Sequence, residues 1–373
     1  MSKSIKIETL SITGFKSIKS LDALELKPIN VLIGANGSGK SNFVSFFKML
    51  GEMMEGRLQT WTRKQGSADR IVSFGVQETD KITASIRFNL HGYDFEIEPT
   101  VDGGFVFSNE SVHYDGSMHG APHQLLGSGH IEAMLKSIAE ISDKGDSSAV
   151  YCYHAISNWK VFHFHDTSDT AGVKRLHSLH DNAYLRPDAS NLAAYLYRLC
   201  NEHPDVYAQI RKTVRLAIPF FDDFILNPQP LSTEEEQIRL LWSQRDSDYP
   251  FWPSQLSDGS IRFICLAAAL LQPNSDSPFA IIIDEPELGL HPYAITLLGS
   301  LIRSASKQMQ VIISTQSVPL VDEFSIDDLI VVEREDGASV FRRPDEQDFS
   351  DWLETYTVGE LWEKNILGGR PGA

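Results

Sequence analysis

The sequence predicts an α/β fold in which a mixed sheet with flanking helices is joined to an antiparallel β lobe and a helical insert. An apolar strand at 29–33 runs into a glycine-rich turn and then into a segment with helical spacing of apolar residues. Two further apolar strands, at 279–283 and 311–313, have the composition of strands buried on both faces of a sheet. Strand-like segments at 83–114, separated by turn residues, predict an antiparallel meander.

These elements suggest three parts along the chain. Residues 1–120 would form the N-terminal half of the main domain, with the glycine-rich turn and the β lobe. Residues 121–235 would form a mostly helical insert, because 188–200 carries an N-cap signature and an apolar stripe. Residues 236–373 would form the C-terminal half, in which helices and strands alternate.

Composition limits the class of protein. The net charge of −17 excludes a generally basic surface for nucleic acid, although it leaves room for a local patch. No run approaches the roughly 18 to 20 apolar residues that span a bilayer, and the N-terminus lacks the apolar core of a signal peptide. Three widely spaced cysteines are interpreted as reduced thiols. A cytoplasmic protein without membrane contact is expected.

A phosphate-binding loop is predicted at 34–41, GANGSGKS, which fits GxxxxGK[ST] between a strand and a helix. The glycines let backbone N–H groups surround phosphates, and the helix N-terminus adds partial positive charge. Lys40 would reach the β- and γ-phosphates, and the Ser41 hydroxyl would bind Mg²⁺. The expected nucleotide-binding residues here are Asn36, Gly37, Ser38, Gly39, Lys40, Ser41 and Asn42.

Two adjacent carboxylates close the apolar strand at 279–283. Unpaired charges at such a position are costly, so Asp284 and Glu285 need partners. Mg²⁺ and a polarised water would supply them, with Asp284 as a direct or second-sphere contact of the metal and Glu285 as the base that orients the attacking water.

A short turn, LSDGS at 256–260, opens a helical segment before the strand that ends at Asp284. Serine- and glycine-containing turns at a helix start bind anions, but this turn alone is a weak signal. Its order and distance relative to the acidic pair make it informative.

Taken together, these motifs resemble the ABC-type ATPase heads of the SMC/RecF-like group, in the order phosphate loop, LSDGS, IIIDEPELGLHP and STQS. Four sequence segments are similar to those of small bacterial proteins known as "predicted ATPases": GFKSI, GANGSGKS, PDASNLAAYLYRL and DEPELGLHP. Those are related to the ATPase domains of overcoming-lysogenization-defect (OLD) nucleases and other phage-defence proteins. The resemblance spans Gly14 to about Leu367.

This resemblance implies ATP and Mg²⁺ as cofactors and a head-to-tail homodimer, or a higher oligomer, with ATP between two chains. Ser257 and the Gly259 backbone would contact the γ-phosphate held by the Lys40 of the partner subunit. The loop 288–291 would communicate across the dimer, with His291 as a structural hydrogen-bonding residue. The family's Mg²⁺-sensing glutamine is left open among Gln59, Gln65 and Gln77.

Gln316 departs from the family, which usually has a histidine at the end of this strand. An amide can donate to a phosphate oxygen and accept from water, but it cannot carry a proton. Because the family's histidine contacts the γ-phosphate, the resemblance implies that Gln316 faces the γ-phosphate and the attacking water. A glutamine that only caps a loop is the alternative. Glu285 would carry the water activation, and hydrolysis would be slow and little altered near pH 6.5.

Two other groups of residues are interpreted as structural. His163, His165, Asp166, His177, His180 and Asp181 could suit Zn²⁺ or Mn²⁺, but without HExxH or a cysteine pair a polar surface is favoured. Asp246 and Asp248 form a DxD that is interpreted as a hairpin turn, because too few residues follow Gln316 for a TOPRIM nuclease domain.

The function predicted by analogy is an ATP-driven switch that controls a separate effector, a nuclease in phage defence or DNA repair. A RecF-like DNA-binding repair ATPase is the first alternative, and it requires a basic patch in the dimer cleft. A non-hydrolysing, nucleotide-dependent scaffold is the second. A transporter ATPase fits poorly, because the long segment 41–256, which includes the β meander, separates Lys40 from Ser257.

Overall fold

The structure, a computed structural model, describes residues 5–116, 123–141, 147–231 and 235–370. The β-strands in these ranges are β1 (Thr9–Phe15), β2 (Ile18–Glu25), β3 (Ile29–Ile33), β4 (Ile82–Phe88), β5 (His91–Pro99), β6 (Phe105–Tyr114), β7 (His123–Gly127), β8 (Trp159–Phe162), β9 (His177–Ser178), β10 (Phe221–Ile225), β11 (Gln229–Pro230), β12 (Glu236–Ile238), β13 (Leu241–Gln244), β14 (Ala280–Asp284), β15 (Gln310–Thr315), β16 (Leu329–Glu335) and β17 (Ala338–Arg342). The α-helices are α1 (Lys40–Met54), α2 (Leu58–Lys64), α3 (Leu135–Ile141), α4 (Ser148–Ser157), α5 (Leu192–Glu202), α6 (Pro204–Ala217), α7 (Asp258–Leu270), α8 (Pro292–Ala305), α9 (Val318–Val321), α10 (Ser350–Leu353) and α11 (Val358–Glu363). None of these helices has the length and apolar character needed to cross a membrane.

A mixed six-stranded sheet, in the order β8-β14-β15-β3-β16-β17, forms the centre of the fold. Its first five strands are parallel, and β17 pairs antiparallel at one edge. Along β3, Val31 and Ile33 pack into one hydrophobic core while Leu32 packs into the other. A core on each face explains why these strands are mostly apolar, and this sheet confirms the mixed α/β fold predicted from the apolar runs.

The second large sheet is antiparallel, in the order β2-β1-β4-β5-β6-β7. The predicted meander forms β4 to β6 and continues into β7. Strand β2 was not predicted, because its buried residues Ile18, Leu21 and Leu24 are spaced by three rather than by two. A register shift in its pairing with β1 accommodates this spacing.

Residues 121–235 contribute helices α3 to α6, but also strand β8, which pairs with β14 at the edge of the central sheet. The three-part division at 120 and 235 therefore stays a prediction, with one strand of the central sheet lying inside the proposed insert. Parts of two polar segments of the sequence, 142–146 and 232–234, lie outside the described residues.

Strand order brings the predicted motifs together. Ile33 on β3 pairs with Thr315 on β15, and Asp284 on β14 pairs with Ser314 on β15. Because parallel strands end at the same edge of a sheet, the phosphate loop, the acidic pair and Gln316 all emerge there.

Candidate nucleotide site

The phosphate loop connects β3 to α1 in the conformation that its glycines permit. Gly39 has φ 114°, and an added Cβ there would collide with the Ser339 hydroxyl. Gly37 has φ 78°, with open space where a Cβ would stand. Among the residues that the structure describes, no side chain caps the start of α1. The N–H of Asn42 donates to Gly39 O at 3.0 Å, but within the described residues the N–H groups of Lys40 and Ser41 have no such partner and remain available to an anion.

Lys40 is buried, and its Nζ donates to the backbone oxygens of Gly34 at 2.6 Å and Ala35 at 2.9 Å. Burial lowers the pKa of Lys40, while the charges of Glu285 and Asp284 act in the opposite direction. The ammonium group is thus held within the loop, next to the acidic strand end.

An open cavity of about 260 Å³ lies against the loop, and we call it the phosphate-loop cavity. It is lined by Asn36, Gly37, Gly39, Lys40, Ser41, Asn42, Glu285, Gln316 and Arg334. Ser38 is not among these residues, because it is buried and its backbone oxygen accepts from Ser339 Oγ at 2.6 Å. The structure therefore brings together most of the predicted loop residues with Glu285 and Gln316, and Ser38 supports the loop from behind.

Asp284 is buried at the end of β14 beside two hydroxyl groups. Its Oδ1 accepts from Ser314 Oγ and lies 3.4 Å from Ser41 Oγ. A carboxylate next to the helix-start hydroxyl is an oxygen donor set of the kind that Mg²⁺ prefers. The predicted metal residues are therefore adjacent and chemically suited to the ion.

Glu285 has a left-handed backbone, with φ 46°. Non-glycine residues in this region are strained and occur preferentially at functional sites. Its N–H donates to Ser314 O at 2.9 Å, and its Oε1 accepts from Gln316 Nε2 at 2.5 Å. This conformation turns the side chain out of the strand line and into the cavity wall.

The predicted signature residues lie at the start of α7 and do not line the phosphate-loop cavity. Ser257 Oγ caps this helix by accepting from Ser260 N at 3.1 Å. Gly259 lies against Gly289, where an added Cβ would collide with the Gly289 carbonyl oxygen. Within the described part of one chain, the start of α7 therefore packs on the loop after Glu285 and away from the phosphate loop.

Arg262 fixes this arrangement from inside. The side chain is buried, and Nε donates to Phe164 O at 2.9 Å while Nη1 donates to Leu288 O. Helix α7 is thereby joined both to the segment after β8 and to the loop after Glu285. Sequence reasoning missed Arg262, whose only signal was a charge inside an apolar helical run.

The three candidate glutamines lie outside the phosphate-loop cavity. Gln59 bridges two segments by donating to Phe105 O at 3.0 Å and Ile131 O at 2.6 Å. Gln65 accepts from Lys16 Nζ at 3.5 Å, and Gln77 is exposed. The geometry singles out none of them as the metal-sensing residue.

His163 and His165 follow β8, the strand next to β14. Their rings stack at 4.4 Å, as expected for alternate positions of an extended segment, which share a face. His165 Nε2 lies 3.0 Å from the backbone oxygen of Asp284. His163 is exposed, but His165 is only partly so, and its contact with the acidic strand end was not predicted.

The other side chains of that histidine-rich segment have separate partners and do not form a common site. His177 bonds Gly172 O at 2.9 Å, and Asp181 pairs with Arg186. In the described ranges no group of three or more His, Cys, Asp or Glu side chains could hold an ion. Asp246 follows β13 in a turn with φ 61°, as the hairpin interpretation predicts.

His291 has the predicted structural role. It is the N-cap of α8, and its Nδ1 accepts from Tyr293 N at 3.3 Å.

A second cavity of about 570 Å³ adjoins the first and shares Asn42 and Arg334 with it. Phe74 lines this cavity, 49% exposed and with φ 61°. Arg334 Nη1 donates to Gly37 O at 3.1 Å and so links the β16–β17 hairpin to the phosphate loop. Neither residue was predicted, because each comes from a segment far from the loop in sequence.

The fold is that of SMC heads, and its phosphate loop and acidic strand end occupy the positions expected for an ABC-type nucleotide site. A solved SMC head from Pyrococcus furiosus with an extended coiled coil, bound to the C-terminal domain of ScpA, is similar with a TM-score of 0.60, at 15% identity over 94% of this chain and 99% of that one. A second solved structure, an SMC head bound to the C-winged helix domain of ScpA, has a TM-score of 0.56. Its sequence is 15% identical, over 92% of this chain and 99% of that one.

Residues 29–323 match the family described as "AAA domain, putative AbiEii toxin, Type IV TA system". The match covers more than half of the chain, which therefore belongs to this family. No curated protein sequence matched the chain.

Proposed function

We propose that the chain binds ATP with Mg²⁺ in the phosphate-loop cavity and hydrolyses it slowly. The observation that carries this proposal is the conformation of Glu285. Its backbone is strained, and its carboxylate lies at the cavity wall, where Oε1 accepts from Gln316 Nε2 at 2.5 Å. Strain of this kind persists only where the surrounding structure holds it. Ser314 and Gln316 provide that support from the neighbouring strand.

Each group has a proposed role. Lys40 and the N–H groups at the start of α1 bind the phosphates. Ser41 and Asp284 hold Mg²⁺, which neutralises phosphate charge when bound. Glu285 orients the attacking water and takes its proton, and Gln316 donates to a phosphate oxygen or accepts from that water.

We further propose that two chains join head to tail around ATP. Ser257 and Gly259 do not line the phosphate-loop cavity of their own chain, within the part that the structure describes. Gly259 instead contacts the loop after Glu285, so a partner that binds at the signature would be linked to the acidic pair of the same chain. Exposed Leu288 in that loop supports a contact surface there.

The proposed biological task is a nucleotide switch for a separate effector, such as a nuclease, in phage defence or DNA repair. The family's description refers to a toxin of a toxin–antitoxin system, which supports a task in defence. The solved SMC heads are bound to ScpA domains, which supports the idea that this head also carries a partner protein.

A DNA-binding ATPase is the second candidate. It is favoured by Lys16 and Lys48, two half-buried cations in an otherwise acidic protein. Burial lowers the pKa of Lys16, and the nearby charge of Lys48 lowers it further. A local cationic pair of this kind could meet a phosphate backbone, and DNA-stimulated hydrolysis would distinguish this candidate.

The test is ATP turnover and oligomeric mass for wild type and Glu285→Gln, with the exposed Glu202→Gln as a matched control. Loss of a general base lowers turnover by about 10²-fold to 10⁴-fold, so Glu285→Gln is expected to bind ATP, accumulate as a dimer and hydrolyse almost nothing. Glu202→Gln is expected to match wild type. If wild type shows neither hydrolysis nor an ATP-dependent change in mass, the proposal fails for the isolated chain.

A further inference from the structure

Glu287 contacts the segment that carries Gln316. Thr315 Oγ1 donates to Glu287 Oε1 at 2.5 Å, and the backbone N–H of Gln316 donates to the same oxygen at 3.1 Å. Thr315 Oγ1 in turn accepts from Ser317 N at 3.0 Å. One carboxylate oxygen thus organises the end of β15 and the turn that follows it.

Burying the Glu287 carboxylate at this position costs free energy of folding. Burial raises the pKa of Glu287 above its ordinary value, and the nearby charge of Glu285 acts in the same direction. Its second oxygen, Oε2, is buried and has no hydrogen-bond partner in the described structure. A buried polar atom without a partner destabilises the fold, so stability alone does not account for a glutamate here.

Gln316 is therefore held at two points by two acids of one loop. Glu287 holds its backbone N–H, and Glu285 accepts from its side-chain amide at 2.5 Å. If the contact between the Gln316 N–H and Glu287 were lost, the backbone of Gln316 could shift. The position of its side-chain amide would then depend on the hydrogen bond to Glu285 alone. Catalytic groups that move by about 1 Å lose up to about 10²-fold in rate.

We propose that Glu287 is a positioning residue, which fixes the backbone of Gln316 so that its amide faces Glu285 and the γ-phosphate position. This inference rests on the proposed ATPase function. It makes the loop after β14 and the loop after β15 a single unit, in which a displacement of either loop moves the Glu285–Gln316 pair.

The test is a double-mutant cycle on the ATP turnover rate. Glu287→Ala is expected to lower kcat by about 10-fold to 10²-fold with unchanged ATP affinity, whereas Glu287→Gln keeps an acceptor oxygen and most of the rate. In a Gln316→Ala background, Glu287→Ala should have little further effect. If the two losses multiply instead, or if Glu287→Gln is as slow as Glu287→Ala, the inference is overturned. Glu323→Gln, a change to an acid paired with Arg303, is the matched control.

Hydrogen exchange at the Gln316 amide separates this inference from the ATPase proposal. That N–H is expected to exchange faster in Glu287→Ala than in wild type, and at nearly the wild-type rate in Glu287→Gln, without any nucleotide present. If wild type does not hydrolyse ATP but exchange responds in this way, the ATPase proposal fails and the positioning contact stands. Unchanged exchange in Glu287→Ala overturns the inference, whatever the ATPase result.

Discussion

Gln316 Nε2 donates a 2.5 Å hydrogen bond to Oε1 of Glu285 across the ends of two neighbouring parallel strands. An amide can donate a hydrogen bond to a carboxylate but cannot exchange a proton with it. In the proposed reaction, Glu285 is therefore the acid–base group of this pair. A histidine in place of Gln316 would add a second group that titrates.

The first prediction concerns that replacement. Wild-type turnover is expected to be nearly flat around pH 6.5, whereas turnover by Gln316→His should fall as pH drops through about 6.5. The reason is that the imidazolium formed at lower pH pairs with the Glu285 carboxylate and weakens it as a base. The measurement is kcat against pH at saturating ATP. Identical profiles for the two proteins would show that residue 316 does not contact the reacting groups.

A second prediction concerns the base of the nucleotide. Phe74 is exposed in the 570 Å³ cavity that adjoins the phosphate loop, and aromatic stacking on a base contributes about 1 to 3 kcal/mol. Phe74→Ala should therefore raise the Kd for ATP by about 5-fold to 10²-fold with little change in kcat. Phe74→Tyr should retain binding. Phe220→Ala, at a phenylalanine of similar exposure elsewhere, is the control. Equal affinities for wild type and Phe74→Ala would place the base elsewhere.

The third prediction concerns Arg262, which donates to Phe164 O and Leu288 O from inside the protein. Lysine has a single ammonium group and cannot reproduce the geometry of the guanidinium fork, so Arg262→Lys leaves a buried carbonyl without a donor. The free energy of unfolding should fall by about 1 to 3 kcal/mol. Urea denaturation followed by circular dichroism measures this change. Arg57→Lys, at an exposed arginine, should stay within about 0.5 kcal/mol of wild type.

Much of this site was accessible from sequence because its parts lie at the ends of buried parallel strands. The apolar runs of β14 and β15 identify strands, and Glu285 and Gln316, which directly follow these strands, must then emerge at one edge. The phosphate loop added its own local signature. These predictions needed only short stretches of chain.

The remaining residues could not be found in that way, because their positions depend on how distant segments pair. No local pattern states that β8 lies next to β14, so the contact between His165 and Asp284 was invisible in the sequence. The same holds for Arg334, which reaches Gly37 from the opposite end of the chain. The role of Arg262 was not predictable for another reason. A single arginine in an apolar helix does not indicate to which backbone carbonyl groups it will donate.

The last prediction concerns the thiols, whose reactivity follows from burial. Cys152 and Cys265 are buried, which raises the pKa of each to about 12, whereas Cys200 is exposed. Since the thiolate is the reactive form, the folded protein should react rapidly with one equivalent of Ellman's reagent at pH 8, and the Cys200→Ser variant with none.

Unfolding in urea should release all three thiols, which is the internal control. The same shifts affect stability: the contribution of the two buried thiols is complete below the unfolded-state pKa of about 8.5 and is lost as pH rises toward about 12. Alkaline pH should therefore destabilise the wild type more than a Cys152→Ala variant. Rapid reaction of two or three thiols in the folded wild-type protein would contradict the burial of Cys152 and Cys265.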